Sequence, residues 1–465
     1  MAPTLFDATT DAITVNLNSL WLLVAAALVL LMTPGVAFFY GGMVRAKSVI
    51  SMMMMSFGAI ALVAVLWVLY GFSMAFPSYT PDQSNAWLIH GVLGNPFADA
   101  GLIPLLTKGG AGAANNLNTL AFAGFQATFA IITVALISGA IADRARFGPW
   151  LIFAGIWATV VYFPVAHWVF AFNGAESAKG GWIANKLLAI DFAGGTAVHI
   201  NAGAAGLVLA LILGKRRGFG RDPMRPHNLP LVMIGAGLLW FGWFGFNAGS
   251  ALGANGQAAE VWVTTLVATA AACLGWLATE KIRDGHATSL GAASGVVAGL
   301  VAITPACSSV TPVGAIFVGA IAGVLCALAV GLKYKLGYDD SLDVVGVHLV
   351  GGLWGTLSVG LLASAAATAG VDGLFYGGGF DQLWRQAVGA GAVLVYSLVL
   401  TAVIGLAIQK TIGFRCTEQD EITGIDSIEH AETAYDFASL GGGGGTSLVG
   451  QAHAEARNTE GASRA

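Results

Sequence analysis

The run DFAGGTAVHINAGAAGLVLALILG, residues 191–214, decides the fold class of this chain. Its only ionisable side chains are Asp191 at the start and His199 inside the run. A transmembrane helix needs about 20 mostly apolar residues, and residues 193–214 meet that requirement. The run therefore predicts a membrane-spanning helix with a histidine inside it.

The composition extends this prediction to the whole chain. Of its 465 residues, 56% are hydrophobic, 10% are charged and 64 are glycine, whereas a soluble globular protein carries about 25% charged residues and about 7% glycine. The 21 Lys and Arg residues against 25 Asp and Glu leave no basic surplus to neutralise phosphates. An ordinary soluble enzyme and a nucleic-acid-binding protein are both excluded. The four cysteines are far apart and show neither metal spacing nor a disulfide framework.

Eleven apolar stretches of this kind follow one another along the chain. They predict an all-α integral membrane protein whose eleven transmembrane helices cover residues 19–43, 48–76, 119–142, 149–172, 193–214, 229–251, 259–280, 286–305, 312–333, 344–366 and 384–411. Because basic residues collect in cytoplasmic loops, the charges indicate an outside N-terminus and a cytoplasmic C-terminus. That orientation leaves four of the 21 Lys and Arg residues outside, namely Lys108, Lys179, Lys186 and Arg385.

The ends of the chain differ from this membrane domain in composition. Residues 1–18 form an extracellular N-terminus without the positive region of a cleaved signal peptide. Residues 19–411 form the membrane domain. We expect the cytoplasmic segment 412–440 to be ordered over 413–436, where apolar residues stand among charges. The tail 441–465 opens with five glycines and is predicted to be disordered, since it cannot recover its ordering entropy.

Two of the eight histidines, His199 and His348, lie well inside predicted spans. His199 follows Asp191 by eight residues, about 12 Å along a helix, and His348 follows Asp343 by five on a helix of opposite direction. Because both approach the midplane and a neutral imidazole in lipid needs a partner, we expect one hydrogen-bonded unit. Two separate histidines, each bonded to a backbone carbonyl, are the alternative. A metal pair is less favoured, since no third ligand stands nearby in sequence.

Asp191 opens the fifth span and has two compatible interpretations. Aspartate is a residue type that caps helices, because its oxygens accept bonds from the free N–H groups of the first turn. The same side chain would place a negative charge below the outer mouth, which would favour a cation there.

Aromatic residues at helical spacing mark the third and sixth spans. Phe125 and Phe129 share one helix face, as do Phe246 and Ser250. Such stripes are usually packing or interfacial belts. Here glycines thin the sixth span and polar groups stand beside the rings, as a small-cation site requires, because ring faces attract cations. The glycines are Gly242, Gly245 and Gly249, and the polar residues are Asn247 and Ser250.

The spans also show a weak internal symmetry. The first and sixth share small and aromatic residues, and the fifth and tenth each carry an aspartate followed by a histidine. Five is odd, so two halves of five spans must have opposite orientation in the membrane. The pattern predicts an inverted five-helix repeat (spans 1–5 and 6–10), with the site at the repeat interface and an eleventh helix outside it.

Four motifs together resemble the ammonium transporter family of bacterial type, a family that also includes methylammonium permeases and Rhesus proteins. The motifs are Phe125–Arg144, Asp191–Asn201, Gly242–Ser250 and Asp339–His348. The resemblance covers about residues 15–436. It implies a multi-pass ammonium transporter of the plasma membrane, with no enzyme activity and no cofactor.

The resemblance also implies roles for individual residues. His199 and His348 would be twin histidines that line the pore and relay protons. Phe129 and Phe246 would form a stacked gate.

The outer ammonium-recruitment site would combine Phe125 and Ser250 with an aromatic residue of the fourth span. That residue is Phe170 here, where bacterial members often have tryptophan, and Trp168 is the alternative. The supporting residues would be Asp191, Gln126, Trp243, Asn247 and Asp343.

The implied mechanism moves ammonia and its proton separately. Ammonium is recruited outside and deprotonated, ammonia crosses a hydrophobic pore, and the relayed proton makes uptake electrogenic. Potassium is similar in size but cannot lose a proton, so a dry path would exclude it. An ammonium sensor that signals through the C-terminal tail is the alternative. An intramembrane enzyme is disfavoured because no nucleophile, paired carboxylate or metal set is evident.

The resemblance further implies a homotrimer in the lipid bilayer, with one pore per subunit and methylammonium as a substrate analogue. The segments Gly413–Cys416, Gly424–Asp426 and His430–Tyr435 are similar to the family's cytoplasmic C-terminal region. In bacterial members this region couples to a PII signalling protein. A tail that only folds on its own trimer is the alternative.

Overall fold

The computed structural model describes residues 5–77, 86–107, 118–172 and 180–435, with side chains from residue 12 onward. Within these ranges, eleven main helices are numbered in chain order. They are α1 Leu5–Met43, α2 Val49–Ala75, α3 Thr119–Ile141, α4 Phe147–Phe170, α5 Gly195–Leu213, α6 Leu229–Gly249, α7 Gly256–Asp284, α8 Ser289–Ile303, α9 Pro312–Leu336, α10 Val345–Leu362 and α11 Asp381–Thr411.

Short elements fill the connections. The strands β1, Trp87–Ile89, and β2, Leu93–Gly94, pair antiparallel. Short helical turns cover Ala100–Leu102, Ile103–Thr107, Ile183–Leu187 and Leu374–Tyr376, and after α11 come α12, Glu418–Thr423, and a turn at Asp426–His430.

A helix occupies each of the eleven predicted stretches, so the structure is that of a mostly helical membrane protein. Over the described residues, ten helices are long and apolar enough to cross a membrane. The exception is α8, whose 15 residues are fewer than the roughly 20 that a span needs. That all eleven cross, and in the predicted orientation, stays a prediction. Lys108 and Lys179, which enter the orientation argument, lie outside the described residues.

Polar side chains set where several helices begin. The Asn118 side chain accepts hydrogen bonds from the backbone N–H groups of Leu120 and Ala121 at the start of α3. The first turn of a helix leaves N–H groups without a partner, and an apolar membrane offers no water to bind them. The same kind of cap opens α6, α7, α8 and α9, at Asn228, Asn255, Thr288 and Thr311.

Glycines let the helices approach one another closely. A Cβ atom at Gly235 of α6 would lie 2.3 Å from the backbone nitrogen of Phe39 in α1. At Gly355 of α10, a Cβ atom would lie 2.2 Å from the carbonyl oxygen of Ala302 in α8. Neither position can carry a side chain unless the two helices separate, as is typical of small residues between membrane helices.

The described C-terminal residues 412–435 pack against one end of the bundle. The Cys416 N–H donates to the Arg144 carbonyl oxygen at 2.9 Å. The Asp426 carboxylate accepts two N–H groups in the first turn of α2, at 2.7 and 3.0 Å. We call this segment the C-terminal region. Residues 436–465, with the tail predicted to be disordered, lie outside the described residues.

Candidate functional site: a histidine pair behind an aromatic stack

The two intramembrane histidines face each other where α5 and α10 cross. The Nδ1 atoms of His199 and His348 are 3.2 Å apart, and the ring centroids are 5.3 Å apart with 20° between the planes. Both residues are buried. Since a neutral imidazole has one N–H and one bare nitrogen, one ring donates from Nδ1 and the other accepts there. The predicted pairing is confirmed.

The close crossing of α5 and α10 depends on two glycines. A Cβ atom at Gly352 of α10 would lie 3.1 Å from the Cβ atom of His199. A Cβ atom at Gly203 of α5 would lie 2.5 Å from the backbone nitrogen of Leu349. The missing side chains bring the two backbones together one turn from the histidines, which allows the rings to meet.

Asp191 binds the start of α5 with both carboxylate oxygens. One oxygen accepts the N–H groups of Gly194 and Gly195 at 2.8 and 2.7 Å, and the other accepts those of Thr196 and Ala197 at 2.7 and 3.0 Å. Four charge-assisted bonds hold the first turn in place. Because His199 lies in that turn, Asp191 also positions the histidine.

The corresponding residue before α10 is Asp340, which is not among the predicted site residues. Its carboxylate accepts the N–H groups of Val344 and Val345 at 3.1 and 2.7 Å. Asp340 precedes His348 by eight residues, the same spacing that separates Asp191 from His199. That repeated spacing is the sequence signal that would have identified it. Asp343 instead accepts a hydrogen bond from Lys333 Nζ at 2.6 Å.

Aromatic rings form a continuous line from the histidine pair towards the opposite end of the bundle from the C-terminal region. The rings of Phe129 and Phe246 are stacked, with centroids 4.2 Å apart and 23° between the planes. The Phe246 centroid is 6.3 Å from that of His199. The ring of Trp243 also stacks on that of His199, with centroids 5.4 Å apart and 18° between the planes. The phenylalanine stack therefore lies between the histidine pair and that end of the bundle.

A small cavity of about 30 Å³ lies on the far side of the phenylalanine stack. We call it the outer cavity. That is enough room for a molecule the size of water. The lining residues are Phe122, Gln126, Phe129, Phe170, Phe172, Phe192, Ser250 and Leu252.

Two of the three predicted recruitment residues, Phe170 and Ser250, line this cavity, and so does Gln126, which was predicted as a supporting residue. The Gln126 Oε1 atom is buried and has no hydrogen-bond partner among the described residues. The Ser250 hydroxyl donates to the Phe246 carbonyl at 2.8 Å, which leaves its oxygen lone pairs available as acceptors. The cavity therefore offers acceptors and ring faces, the groups that a small N–H-bearing cation would bind.

Phe125 is placed differently from the other predicted outer-site residues. It is fully buried and does not line the outer cavity. Its ring packs edge-on against Phe129, with centroids 4.9 Å apart, and Gly249 leaves the space that it fills. Phe122 lines the cavity instead, seven residues before Phe129 and so on the same helix face. Phe125 supports the stack from behind.

Phe170 and Trp168, the two aromatic candidates of the fourth span, contact different neighbours. The Phe170 ring meets Phe129 edge-on, with centroids 6.3 Å apart. Trp168 donates from Nε1 to the Val92 carbonyl at 2.9 Å and packs on Tyr396, with centroids 4.7 Å apart. Phe170 and not Trp168 therefore lines the outer cavity.

Trp243 and Asn247 belong to a hydrogen-bond chain behind Phe246. Trp243 donates to the Thr304 hydroxyl at 2.8 Å, and that hydroxyl is 3.2 Å from Asn247 Oδ1. Asn247 donates to Thr265 at 3.0 Å. These contacts join α6 to α7 and α8 and hold the Phe246 face of α6 in position.

A larger cavity of about 630 Å³ adjoins the outer cavity. The two share Phe172, Phe192, Ser250 and Leu252, and Asp191 also lines the larger one. Arg385 lines it too, but its guanidinium binds Asp381 at 2.7 Å. A buried carboxylate thus stands beside the approach to the outer cavity.

Comparison with known proteins gives a consistent result. Residues 20–435 match the model of the Ammonium Transporter Family. The chain is 62% identical over 435 residues to an ammonium transporter of Mycobacterium tuberculosis, covering 91% of each protein. It is 44% identical over 422 residues to an ammonium transporter of Bacillus subtilis, covering 90% of this chain and 98% of that one.

Solved structures show the same similarity. A structure described as a sensor Amt protein matches with a TM-score of 0.80 and 29% identity, over 90% of this chain and 99% of that chain. Saccharomyces cerevisiae Mep2 matches with a TM-score of 0.76 and 35% identity, over 86% of this chain and 87% of the other. The chain therefore belongs to the ammonium transporter family, whose members are multi-pass transporters of the plasma membrane and not enzymes.

Proposed function

We propose that the chain recruits ammonium at the outer cavity and conducts ammonia past the histidine pair. The observation that carries this proposal is the unbroken contact from the outer cavity through Phe129 and Phe246 to His199. Gln126 Oε1 and the Ser250 oxygen would accept ammonium N–H groups, and the Phe170 and Phe129 rings would face the charge.

The phenylalanine stack would select for a neutral molecule. Rings at a centroid distance of 4.2 Å are in direct contact, so a hydrated ion cannot pass between them. A molecule that has lost both its hydration shell and its charge enters an apolar path at a much lower free-energy cost than an ion does. Ammonium can do so by losing a proton, whereas potassium cannot.

The histidine pair would carry the proton apart from ammonia. The facing Nδ1 atoms share a single hydrogen in the neutral state, and a second proton can enter one ring as another leaves. Net movement of ammonia with a relayed proton is electrogenic ammonium uptake. Catalytic chemistry is not required, because every step is a proton transfer or a passage.

The membrane arrangement in this proposal has eleven spans, an outside N-terminus and an inverted repeat of spans 1–5 and 6–10. The matched starts of α5 and α10 support the repeat, since each has a capping aspartate eight residues before a histidine. The repeat would place the site between its halves at the midplane. One such pore per subunit of a homotrimer completes the assembly that we propose.

The C-terminal region would be regulatory, and a PII-type signalling protein would bind the cytoplasmic face beside it. Support comes from the bonds between Asp426 and the start of α2 and between Cys416 and Arg144, which connect the region to the loops at the pore exit. Titration of the purified full chain with its cognate PII protein tests this partner. No binding in any nucleotide or modification state would leave the region with an intramolecular role only.

Uptake of radiolabelled methylammonium by cells that lack their own carriers tests the transport proposal. The full chain should give uptake that rises with an inside-negative membrane potential. His199→Ala and His348→Ala should abolish the potential-dependent part, while His286→Ala, a change at an exposed histidine, should not. Wild-type uptake with unchanged selectivity over potassium in both pore variants would contradict the mechanism.

The second candidate is an ammonium sensor, favoured by the similarity to a structure described as a sensor Amt protein. A sensor would bind ammonium and change its C-terminal region without substantial transport. Potential-dependent uptake in the same cells separates the two, since a pure sensor would give none.

A further inference from the structure

The first turns of α5 and α10 carry the two histidines. They differ in that a buried lysine lies beside the start of α10. Asp191 and Asp340 each accept the N–H groups at the start of their own helix. Beside Asp340 lies Lys333 of α9, which is 6% exposed. Among the ion pairs of the described residues, none involves Asp191.

The Lys333 ammonium group has three kinds of neighbour. Its Nζ atom donates to Asp343 Oδ1 at 2.6 Å and to the Asp340 carbonyl oxygen at 3.0 Å. It also lies 5.5 Å from the centroid of the Tyr334 ring. A carboxylate, a carbonyl oxygen and an aromatic face are the groups that bind a free ammonium ion.

This position lies on the exit side of the histidine pair. Asp343 lies just before α10, five residues ahead of His348, at the end of the bundle where the C-terminal region packs. We propose that Lys333 is a built-in ammonium group that fills an inner cation site and so prevents released ammonium from binding there. The inference rests on the proposed transport function.

The backbone at Asp343 supports an assigned role for its carboxylate. Asp343 has φ 65°, and Gly194, also three residues after a capping aspartate, has φ 124°. Glycine is the ordinary residue for positive φ, while other residues adopt it at a cost. An aspartate at this position costs backbone energy and supplies the carboxylate that holds Lys333.

Emptying the site tests whether it binds a cation. Crystals of the full-length Lys333→Ala variant soaked in thallium(I), a monovalent ion of ammonium-like size, should show an anomalous peak beside Asp343. Wild type and the double variant Lys333→Ala/Asp343→Asn should show none, because the first is filled by lysine and the second lacks the carboxylate. Lys333→Ser serves the same purpose if the alanine variant does not fold. No peak in either single variant, or a peak in wild type, would overturn the proposal.

Transport measured with ammonium on the exit side supplies the functional readout. In proteoliposomes, Lys333→Ala should be inhibited by exit-side ammonium at about a tenfold lower concentration than wild type, the size expected for one charged hydrogen bond. Lys333→Arg keeps a positive charge in the site and should behave like wild type. Equal inhibition of Lys333→Ala and wild type would overturn the inference. Absence of ammonium current in wild type would instead contradict the proposed function, and the thallium result would stand.

Discussion

Gln126 ends in a buried oxygen that has no hydrogen-bond partner among the described residues and lines the outer cavity. An unpaired buried acceptor is costly, so its retention is explained if a ligand supplies the donor. Sequence spacing placed Gln126 between two phenylalanines but did not show which way it points.

We predict that Gln126→Leu raises the half-saturating methylammonium concentration by about tenfold, because a hydrogen bond to a charged ligand is lost. The maximal rate should change less than the half-saturating concentration. Gln257→Leu is the matched control, since Gln257 lines the larger cavity but not the outer cavity. Kinetics of uptake measure both, and an unchanged half-saturation in Gln126→Leu would remove this residue from the recruitment site.

Phe246 stacks on Phe129 and also contacts His199 of the histidine pair. We predict that Phe246→Ala weakens selectivity, because the space left by the ring would admit a partly hydrated cation. Potassium current through purified protein should become measurable. Phe241→Ala removes a ring from the exposed face of the same helix and should leave selectivity intact. A potassium-tight Phe246→Ala variant would show that the stack is not the barrier.

At the scale of elements, a residue far along the chain completes the start of α2. Asp426 accepts the N–H groups of Ile50 and Ser51, while the Ser48 side chain makes no cap bond. A C-terminal residue therefore acts as the cap that α2 lacks in its own sequence. Burial raises the pKa of Asp426 above its ordinary value, against the backbone N–H bonds that lower it.

We predict that Asp426→Ala loosens the C-terminal region and frays α2, at a cost of about 1 kcal/mol. Hydrogen–deuterium exchange should rise at residues 49–52. Asp420→Ala is the matched control, because Asp420 bonds Thr417 within its own short helix and does not touch α2. Equal exchange at residues 49–52 in both variants would contradict a capping role.

At the scale of the whole molecule, buried charges join the loops between helices to one another and, through Glu421, to the C-terminal region. Arg216 binds Asp143 at 3.0 Å and Asp339 at 2.8 Å. Glu421 lies 3.2 Å from Arg415 and 3.6 Å from Arg45. Removing one partner of such a buried set leaves an uncompensated charge.

These contacts predict a pH dependence of stability. Burial raises the pKa of Asp143, but Arg216 and Arg45 outweigh it and hold that pKa below its ordinary value. The Asp143 contribution is therefore present above its unfolded pKa, about 3.9, and is lost as the pH falls through the lower folded value. In detergent, the melting temperature of wild type should exceed that of Asp143→Asn at pH 7, and the gap should narrow below about pH 4. A gap that is constant down to pH 3 would contradict this.

Truncation separates the two parts of the C-terminus. Deleting residues 441–465 should leave uptake and its regulation intact. Deleting from Gly413 removes the cap of α2 and the Glu421 contacts. This deletion should impair uptake, its regulation or both. Methylammonium uptake before and after an ammonium pulse measures both. Full function of the longer deletion would remove the C-terminal region from the regulatory proposal.

Local composition determined the positions of the helices in this protein and the pairing of its two intramembrane histidines. The apolar stretches predicted where helices lie because burial in lipid requires unbroken apolar runs, and each of α1 to α11 occupies one. The pairing of His199 with His348 followed from the same logic, since each is a polar ring in an apolar run. These inferences need only the residue types and their spacing.

Only the tertiary structure decided which neighbours each side chain meets. Trp168 and Phe170 are two residues apart, yet only Phe170 lines the outer cavity, and Phe125 packs behind the stack without lining that cavity. Likewise Asp340 caps α10, while Asp343 binds Lys333. The spacing of residues along a helix determines which face they share. The packing of one helix on another determines which residues that face contacts.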